Sequence, residues 1–249
     1  QSQWNSIMSP DSANAKGSDR PVVDVSWDDC QKFIRLLNCR TGGRYKFRLP
    51  TEAEWEYACR AGTTTAFHFG EKITTNQVNF NGNSHLPTRQ KGLYRKKTTS
   101  VGHLPSNAWG LFDMHGNVCE WCNDWFAPGY YNASQAIDPL GPKSGSTRVI
   151  RGGNYHDDPE RCRSASRFGL PPKESHYTLG FRLLLEDQHP TSDSAALQAP
   201  NIHTPNASTS SDVKADGAKK LNIELEKQKG FLRLSVKPAK SIIKIGQYT

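Results

Sequence analysis

Two stretches near the start of the chain carry apolar residues at helical spacing. In the first, Trp27, Cys30, Phe33, Ile34 and Leu37 recur three and four positions apart, which places them on one helical face. Ser26 precedes them with Asp29 three places on, the pattern of a capping box, and Gly42 and Gly43 close the run. The second stretch follows "RLP". Thr51 caps it, Glu54 completes the box, and Glu52, Glu54 and Glu56 favour the positive end of the helix dipole. Trp55, Ala58 and Cys59 form its inner face, and Gly62 ends it. Beyond Gly62 the helical period is lost. Short runs predict strands over 148–151, 163–167 and 180–185, while 63–147 shows little periodicity. In a compact domain such a stretch is functional or is held by a ligand or ion.

Residues 187–218 change character. Ser, Thr, Pro, Ala and Asp dominate and aromatics vanish, so a flexible linker is expected that buries too little apolar area to fold. From Lys219 alternation returns, with Leu221, Ile223 and Leu225, then Leu232, Leu234 and Val236, predicting two strands that flank Gly230. That segment is too short for a core of its own, so the expectation is that the chain ends inside a second module.

One segment fits neither period. Leu111 to Trp125, "LFDMHGNVCEWCNDW", crowds Asp113, Gly116, Asn117, Glu120 and Asp124 around Trp121 and Trp125. It resembles neither an amphipathic helix nor an alternating strand, and what its acidic groups serve is the first question of function.

Composition narrows the classes. The 249 residues are 35% hydrophobic and 22% charged, which suits one domain plus additional material. The net charge of +8 permits an acidic partner. Its basic residues are scattered, without Lys/Arg blocks interleaved with aromatics, so the reading is a solvated basic surface with no nucleic acid partner. Six cysteines are too few for a disulfide framework in a chain of this length. Cys119 and Cys122 make a single CxxC without a second pair or a spaced His pair, which argues for a packed interior rather than zinc or redox chemistry. No apolar run has membrane-spanning length and no signal peptide is visible. The chain opens on Gln1 and reads as a fragment or processed product.

Several segments, taken in order, resemble one family. "PVVDVSWDDCQKFIRLLN", "YKFRLPTEAEWEYACRAG", "SNAWGLFDMHGNVCEWCNDW", "RVIRGGNY" and "LGFRLLLE" are similar to the formylglycine-generating enzyme, or sulfatase-modifying factor, family over about 1–186. The resemblance implies an α+β, C-type-lectin-like fold: two early helices, a small antiparallel sheet and much irregular loop. It also implies that the family's opening strands precede "QSQWNSIM" and are missing here. "GFLRLSVKPAKSIIKIG" resembles the start of a PEGA module, a small β unit attached to bacterial surface or envelope proteins. This implies a bacterial, multidomain protein of the envelope or secreted.

The resemblance also answers the question of the crowded segment. In the family it supplies a calcium site, and carried over by position the ligands are the Asp113 side chain, the Gly116 and Val118 carbonyls and the Glu120 side chain. Calcium takes about six to eight hard oxygens, which irregular backbone offers, and Gly116 permits the turn that aims them. The bland alternative is a capped turn beneath Trp121 and Trp125 with no ion. The family's second calcium site falls at Asn79 and near Lys91, where an ammonium replaces an acid. That site is not carried over.

The family's oxidase uses copper and two cysteines in a segment patterned GG-S-Y-x-C-x-x-x-x-C. The matching segment here, Gly152 to Cys162, has Asp157 at the first cysteine and Cys162 at the second. Copper(I) prefers two soft thiolates, so copper is not expected. Asp157, Asp158 and Glu160 read as a solvated turn begun by Pro159 rather than a hydrolytic pair, and Ser164 and Ser166 as strand residues between arginines. No nucleophile elbow, phosphate-binding glycine loop or HExxH helix is present. Two classes remain. The first is a noncatalytic scaffold whose loops bind a peptide, protein or glycan. The second is a divergent oxidase or maturation factor. Asp157 favours the first.

Overall fold

The computed structural model describes residues 1–8, 17, 19–42, 45–83, 92–135 and 137–187, together with the backbone of 222–228, 231–237 and 241–246. Both predicted helices form from their capping boxes. In α2, Trp27–Arg40, the Ser26 side chain accepts from the Asp29 amide while Asp29 accepts from the Ser26 amide, and Cys30, Phe33, Ile34 and Leu37 are buried. In α3, Glu52–Arg60, Thr51 and Glu54 make the same reciprocal pair, with Trp55, Ala58 and Cys59 buried. Its left-handed cap is Ala61, at φ 45°, one residue before the Gly62 that the sequence singled out. A short helix at the start, α1, Ser2–Ile7, carried no periodic signal and is placed by burial of Trp4 and Ile7.

The strands are short. β1, Tyr45–Arg48, pairs antiparallel with β6, Leu184–Asp187. The main sheet is built from β2, Cys119–Trp125, β3, Arg148–Arg151, β4, Phe168–Leu170, and β5, Leu179–Phe181, in the order β4-β3-β2-β5. The β2–β5 contact is parallel and the others antiparallel. Three expectations are corrected. The strand expected at 163–167 is not formed, because Ser164 donates to the Ala66 carbonyl and Ser166 folds back onto the Arg163 carbonyl. The strand expected at 180–185 is two strands, β5 and β6, in different sheets, separated at Arg182 and Leu183. The third concerns Leu111 to Trp125, whose second half is a strand after all.

Burial on both faces explains why β2 does not alternate. Cys119 and Trp121 join a core with Trp4, Phe33, Leu37 and Phe47, in which Trp4 stacks on Phe33 at 5.2 Å. Cys122 faces a second core with Trp55, Ala58, Met114 and Val149. Residues an odd number of places apart on a strand point to opposite faces, so the CxxC is two packed thiols rather than a pair.

The expected linker, 187–218, lies outside the described residues apart from Asp187, which ends β6. Beyond it, β7, Asn222–Gln228, β8, Phe231–Lys237, and β9, Ser241–Gly246, form an antiparallel meander, one strand more than the alternation indicated. Among the described residues no helix is long and apolar enough to cross a membrane.

A buried charge network ties α3 to the sheet. The Arg151 side chain is 0% exposed and that of Glu52 2%, with Nε 3.2 Å from Oε1, and Arg151 also pairs with Glu56. Arg167 holds the same Glu52 carboxylate from both sides, at 2.5 and 2.6 Å. Removing one partner of a buried pair leaves a charge without compensation, at a cost of about 3–5 kcal/mol. Glu52→Ala is expected to lose stability on that scale in urea unfolding. A loss below about 1 kcal/mol would show that the network contributes little beyond packing.

Candidate functional site

The bend that precedes β2 reaches its position through left-handed backbone. Asp113, Gly116 and Asn117 all have positive φ, 56°, 71° and 65°. Only glycine fits at 116, since a Cβ there would lie 2.3 Å from the Asn79 carbonyl oxygen. Asn117 pins the bend. Its amide donates to the Asn79 carbonyl, its own carbonyl accepts from Tyr155, and its Oδ1 accepts from the Thr99 amide at 2.9 Å and from Asn79 Nδ2 at 3.2 Å. The Gly116 amide donates to the Gly152 carbonyl at 2.8 Å, tying the bend to the glycine turn after β3.

This arrangement brings Asp113, Gly116, Val118 and Glu120 together on one bend and the strand that follows. Asp113 Oδ2 accepts from the Gly102 amide at 2.8 Å. Burial raises its carboxyl above the usual range, and Arg182 counters part of that rise. Glu120 is buried. Its Oε2 accepts from Trp55 Nε1 at 2.7 Å and from Arg182 Nε, and its Oε1 accepts from Arg182 Nη2 at 2.6 Å. A carboxylate oxygen has two acceptor directions, so Oε1 keeps one. The Gly116 and Val118 carbonyls accept no backbone amide among the described residues. At the second family position, Asn79 Oδ1 and Thr99 Oγ1 are buried without partners among the described residues, and Lys91 lies outside them.

The glycine turn carries the other candidate residues. Gly153 has φ 69°, and a Cβ there would meet Cys162 Sγ at 2.7 Å. Asp157 closes the turn on itself: Oδ2 accepts from the Asn154 amide at 3.1 Å and from Asn154 Nδ2 at 2.6 Å. The Cys119 thiol lies 4.0 Å from the same oxygen and accepts from Asn154 Nδ2 at 3.4 Å. Burial pushes Cys119 up to about 12 and Cys162 well above the usual thiol range. Pro159 opens a single 3-10 turn, Pro159–Cys162, that leaves Asp158 and Glu160 exposed. Ser164 is buried and the Ser166 hydroxyl donates to the Glu160 carbonyl.

Around this turn the rings of Tyr94, Tyr155 and Tyr177 surround His156, with centroids 5.7, 4.4 and 5.8 Å away. The Tyr94 hydroxyl bonds His156 Nδ1. Behind the turn, His115 Nδ1 lies 2.7 Å from the Cys162 carbonyl and so donates to it, while Nε2 accepts from the His68 amide at 3.2 Å. His68 stacks on His115 at 4.8 Å.

The sequence marked Asn117 within the crowded segment without giving it a role, and passed over Asn154, Arg182 and the neighbourhood of Cys119. The pair Gly116-Asn117, both types that tolerate left-handed backbone, was the available signal for Asn117. For Arg182 and Cys119 no local signal exists, because their partners lie 62 and 38 positions away.

Comparison with known proteins agrees with this architecture. The model of the sulfatase-modifying factor enzyme 1-like domain matches residues 1–187. The formylglycine-generating enzyme of Streptomyces coelicolor is 40% identical over 188 residues, 71% of this chain and 55% of that enzyme. The chain thus spans about half the length of that relative. Among solved structures, Treponema denticola variable protein 1 aligns with a TM-score of 0.65 at 27% identity, over 75% of this chain and 81% of that one. PvdO from Pseudomonas aeruginosa aligns at 0.59 and 29% identity, over 70% and 64%. The fold is α+β and C-type-lectin-like.

The buried imidazole of His115 and the half-buried one of His68 are expected to make stability pH-dependent. Burial lowers His115 to about 3 and His68 to about 4. Both lie below the unfolded value of about 6.5, so the fold favours the neutral rings. Their contribution is intact above about pH 6.5 and is lost as pH falls towards 4 and then 3, where the unfolded chain binds protons that the folded one excludes. The melting temperature should fall over that window, and His115→Gln should flatten the fall. An equal fall in that variant would assign the acid sensitivity to other groups.

Proposed function

This chain belongs to the sulfatase-modifying factor enzyme 1-like family, and from that premise we propose that its domain is a noncatalytic scaffold that binds a protein, peptide or glycan. It does not itself convert cysteine to formylglycine. The observation that carries the reading is Asp157. By the family resemblance it stands where the first copper-binding cysteine would be, and its Oδ2 is committed to Asn154 as a staple of the turn. The remaining partner, Cys162, is a fully buried thiol held protonated at neutral pH. Copper(I) wants two thiolates, and this segment offers one.

A second reading, a divergent oxidase or maturation factor, draws on Cys119, whose thiol lies 4.0 Å from Asp157. Burial keeps that thiol protonated as well, which favours the scaffold. For the rest of the chain we propose a linker over 187–218 and a PEGA-like β module from 219. The meander of β7 to β9 supports the module in strand content only.

We also propose that calcium binds the bend before β2. Asp113, the Gly116 and Val118 carbonyls and the open direction of Glu120 Oε1 would hold it. All are hard oxygens, the type calcium takes. The ion would supply a partner for carbonyls that irregular backbone leaves without amides. Arg182 shares Glu120, so the Asp113 charge is the larger attraction.

Two outcomes follow. Purified protein given copper(I), oxygen and a sulfatase-motif cysteine peptide should produce no formylglycine by mass spectrometry, while Asp157→Cys should gain tight copper(I) binding in a chelator competition. Turnover by the unmodified chain would overturn the scaffold reading, and turnover lost in Cys119→Ser would assign it to the second reading. Chelator should lower the melting temperature and calcium restore it better than magnesium. A ligand at a hundredfold excess over Kd stabilises by about 2.7 kcal/mol. Asp113→Ala should abolish the response. A melting temperature indifferent to chelator would mean that the bend is held by hydrogen bonds alone.

A further inference from the structure

We propose that Asp157 and the tyrosine rim around His156 recognise an ammonium group, the lysine side chain of a partner peptide. The inference rests on the scaffold reading and names its ligand chemistry.

The two oxygens of Asp157 have different surroundings. Oδ2 is fixed by Asn154 and lies beside Cys119. Among the described residues Oδ1 has only the guanidinium of Arg161, at 3.9 Å, beyond hydrogen-bond distance. Arg161 is 59% exposed and its guanidinium carbon lies 4.9 Å from the Phe168 ring centre, so it is a weak, solvated partner. The carboxylate is therefore held rigidly on one side and open on the other, with 17% of its side chain exposed. Two further acids of the same turn, Asp158 and Glu160, are exposed.

The rim supplies ring faces. Tyr94 and Tyr177 come from separate segments and converge on His156, while Tyr155, its neighbour in the chain, is buried. Tyr177 is 53% exposed. Cations are attracted to such faces within about 6 Å of the centroid. One already sits there: Lys96 Nζ lies 5.7 Å from the centre of the Tyr94 ring. Lys96 is exposed and holds a left-handed φ of 55°. An ammonium from this chain thus occupies the kind of place that a partner's ammonium would take. A sugar would also stack on tyrosines. The open polar group, however, is anionic, and the group seated on the rim is a cation, so charge complementarity selects the lysine.

The test is calorimetric titration of the full chain with a blocked Gly-Lys-Gly peptide, alongside its norleucine and Nε-acetyllysine counterparts. The lysine peptide should bind at least tenfold more tightly than either neutral one, and added salt should weaken it. Asp157→Asn and Tyr177→Ala should each reduce its affinity by about tenfold. Lys96→Ala, which removes the resident ammonium, should raise it. Tyr177 is on the surface, so its variant decides the matter even if Asp157→Asn disturbs the turn. Equal affinity for the three peptides, no binding, or unchanged affinity in Tyr177→Ala would overturn the proposal. A neutral oligosaccharide whose binding is lost in Tyr177→Ala would overturn the lysine assignment and leave the scaffold reading standing. Formylglycine production would instead overturn the scaffold reading itself.

Discussion

The contact between Arg151 and Glu52 is the constraint on which the rest of the structure depends. Burying either charge without compensation costs several kcal/mol, and Glu56 on Arg151 and Arg167 on Glu52 complete the pairing. Arg151 ends β3 and Glu52 begins α3. Their meeting sets the helix against the sheet. Once α3 is placed, Trp55 reaches Glu120 and the Glu52 amide reaches Asp124 Oδ2 at 2.8 Å. The register that puts Glu120 beside Arg151 is thereby held from two directions. The candidate site lies at the two ends of this arrangement: the bend enters β2, and the glycine turn leaves β3.

Much polar backbone therefore lies inside this domain without regular pairing. The described residues hold it by side-chain amides rather than by longer strands. Asn117 ties three segments, Asn107 holds the carbonyl of Ala58 and the amides of Trp109 and Leu111, and Asn154 binds its own turn. An amide offers both donors and acceptors, so one residue replaces several ladder bonds. Loops fixed this way are rigid enough to present ligand-binding groups at set positions.

The readable parts of the sequence were those whose cause is local. Both capping boxes and the buried faces of α2 and α3 were visible, because helical period and caps act within four residues. The β3 strand was visible for the same reason. The strand β2 was not, since burial on both faces removes the alternation that marks a strand. Residues 163–167 showed alternation without a neighbour to pair with, and tertiary bonds of Ser164 and Ser166 took the segment elsewhere. Of the candidate site, Asp113, Gly116 and Glu120 stood out as part of an unusual cluster, while Val118 came only with the family resemblance. The cluster's partners Arg182 and Gly102 were not legible, because nothing in a local window joins Glu120 to a residue 62 positions on.

Asp157 shows how the chemistry of one side chain fixes a turn. A thiol at that position would be a weak hydrogen-bond acceptor and would leave the Asn154 amide and side chain without a strong partner. The carboxylate takes both, at 3.1 and 2.6 Å. The turn then stays closed without a bond to Cys162, whose sulfur packs against Gly153 instead. The carboxylate also carries its charge where burial disfavours it, with one oxygen facing a single distant guanidinium among the described residues. The turn holds a hard, half-compensated anion next to the ring of His156 and its tyrosines, and a cation complements such a group.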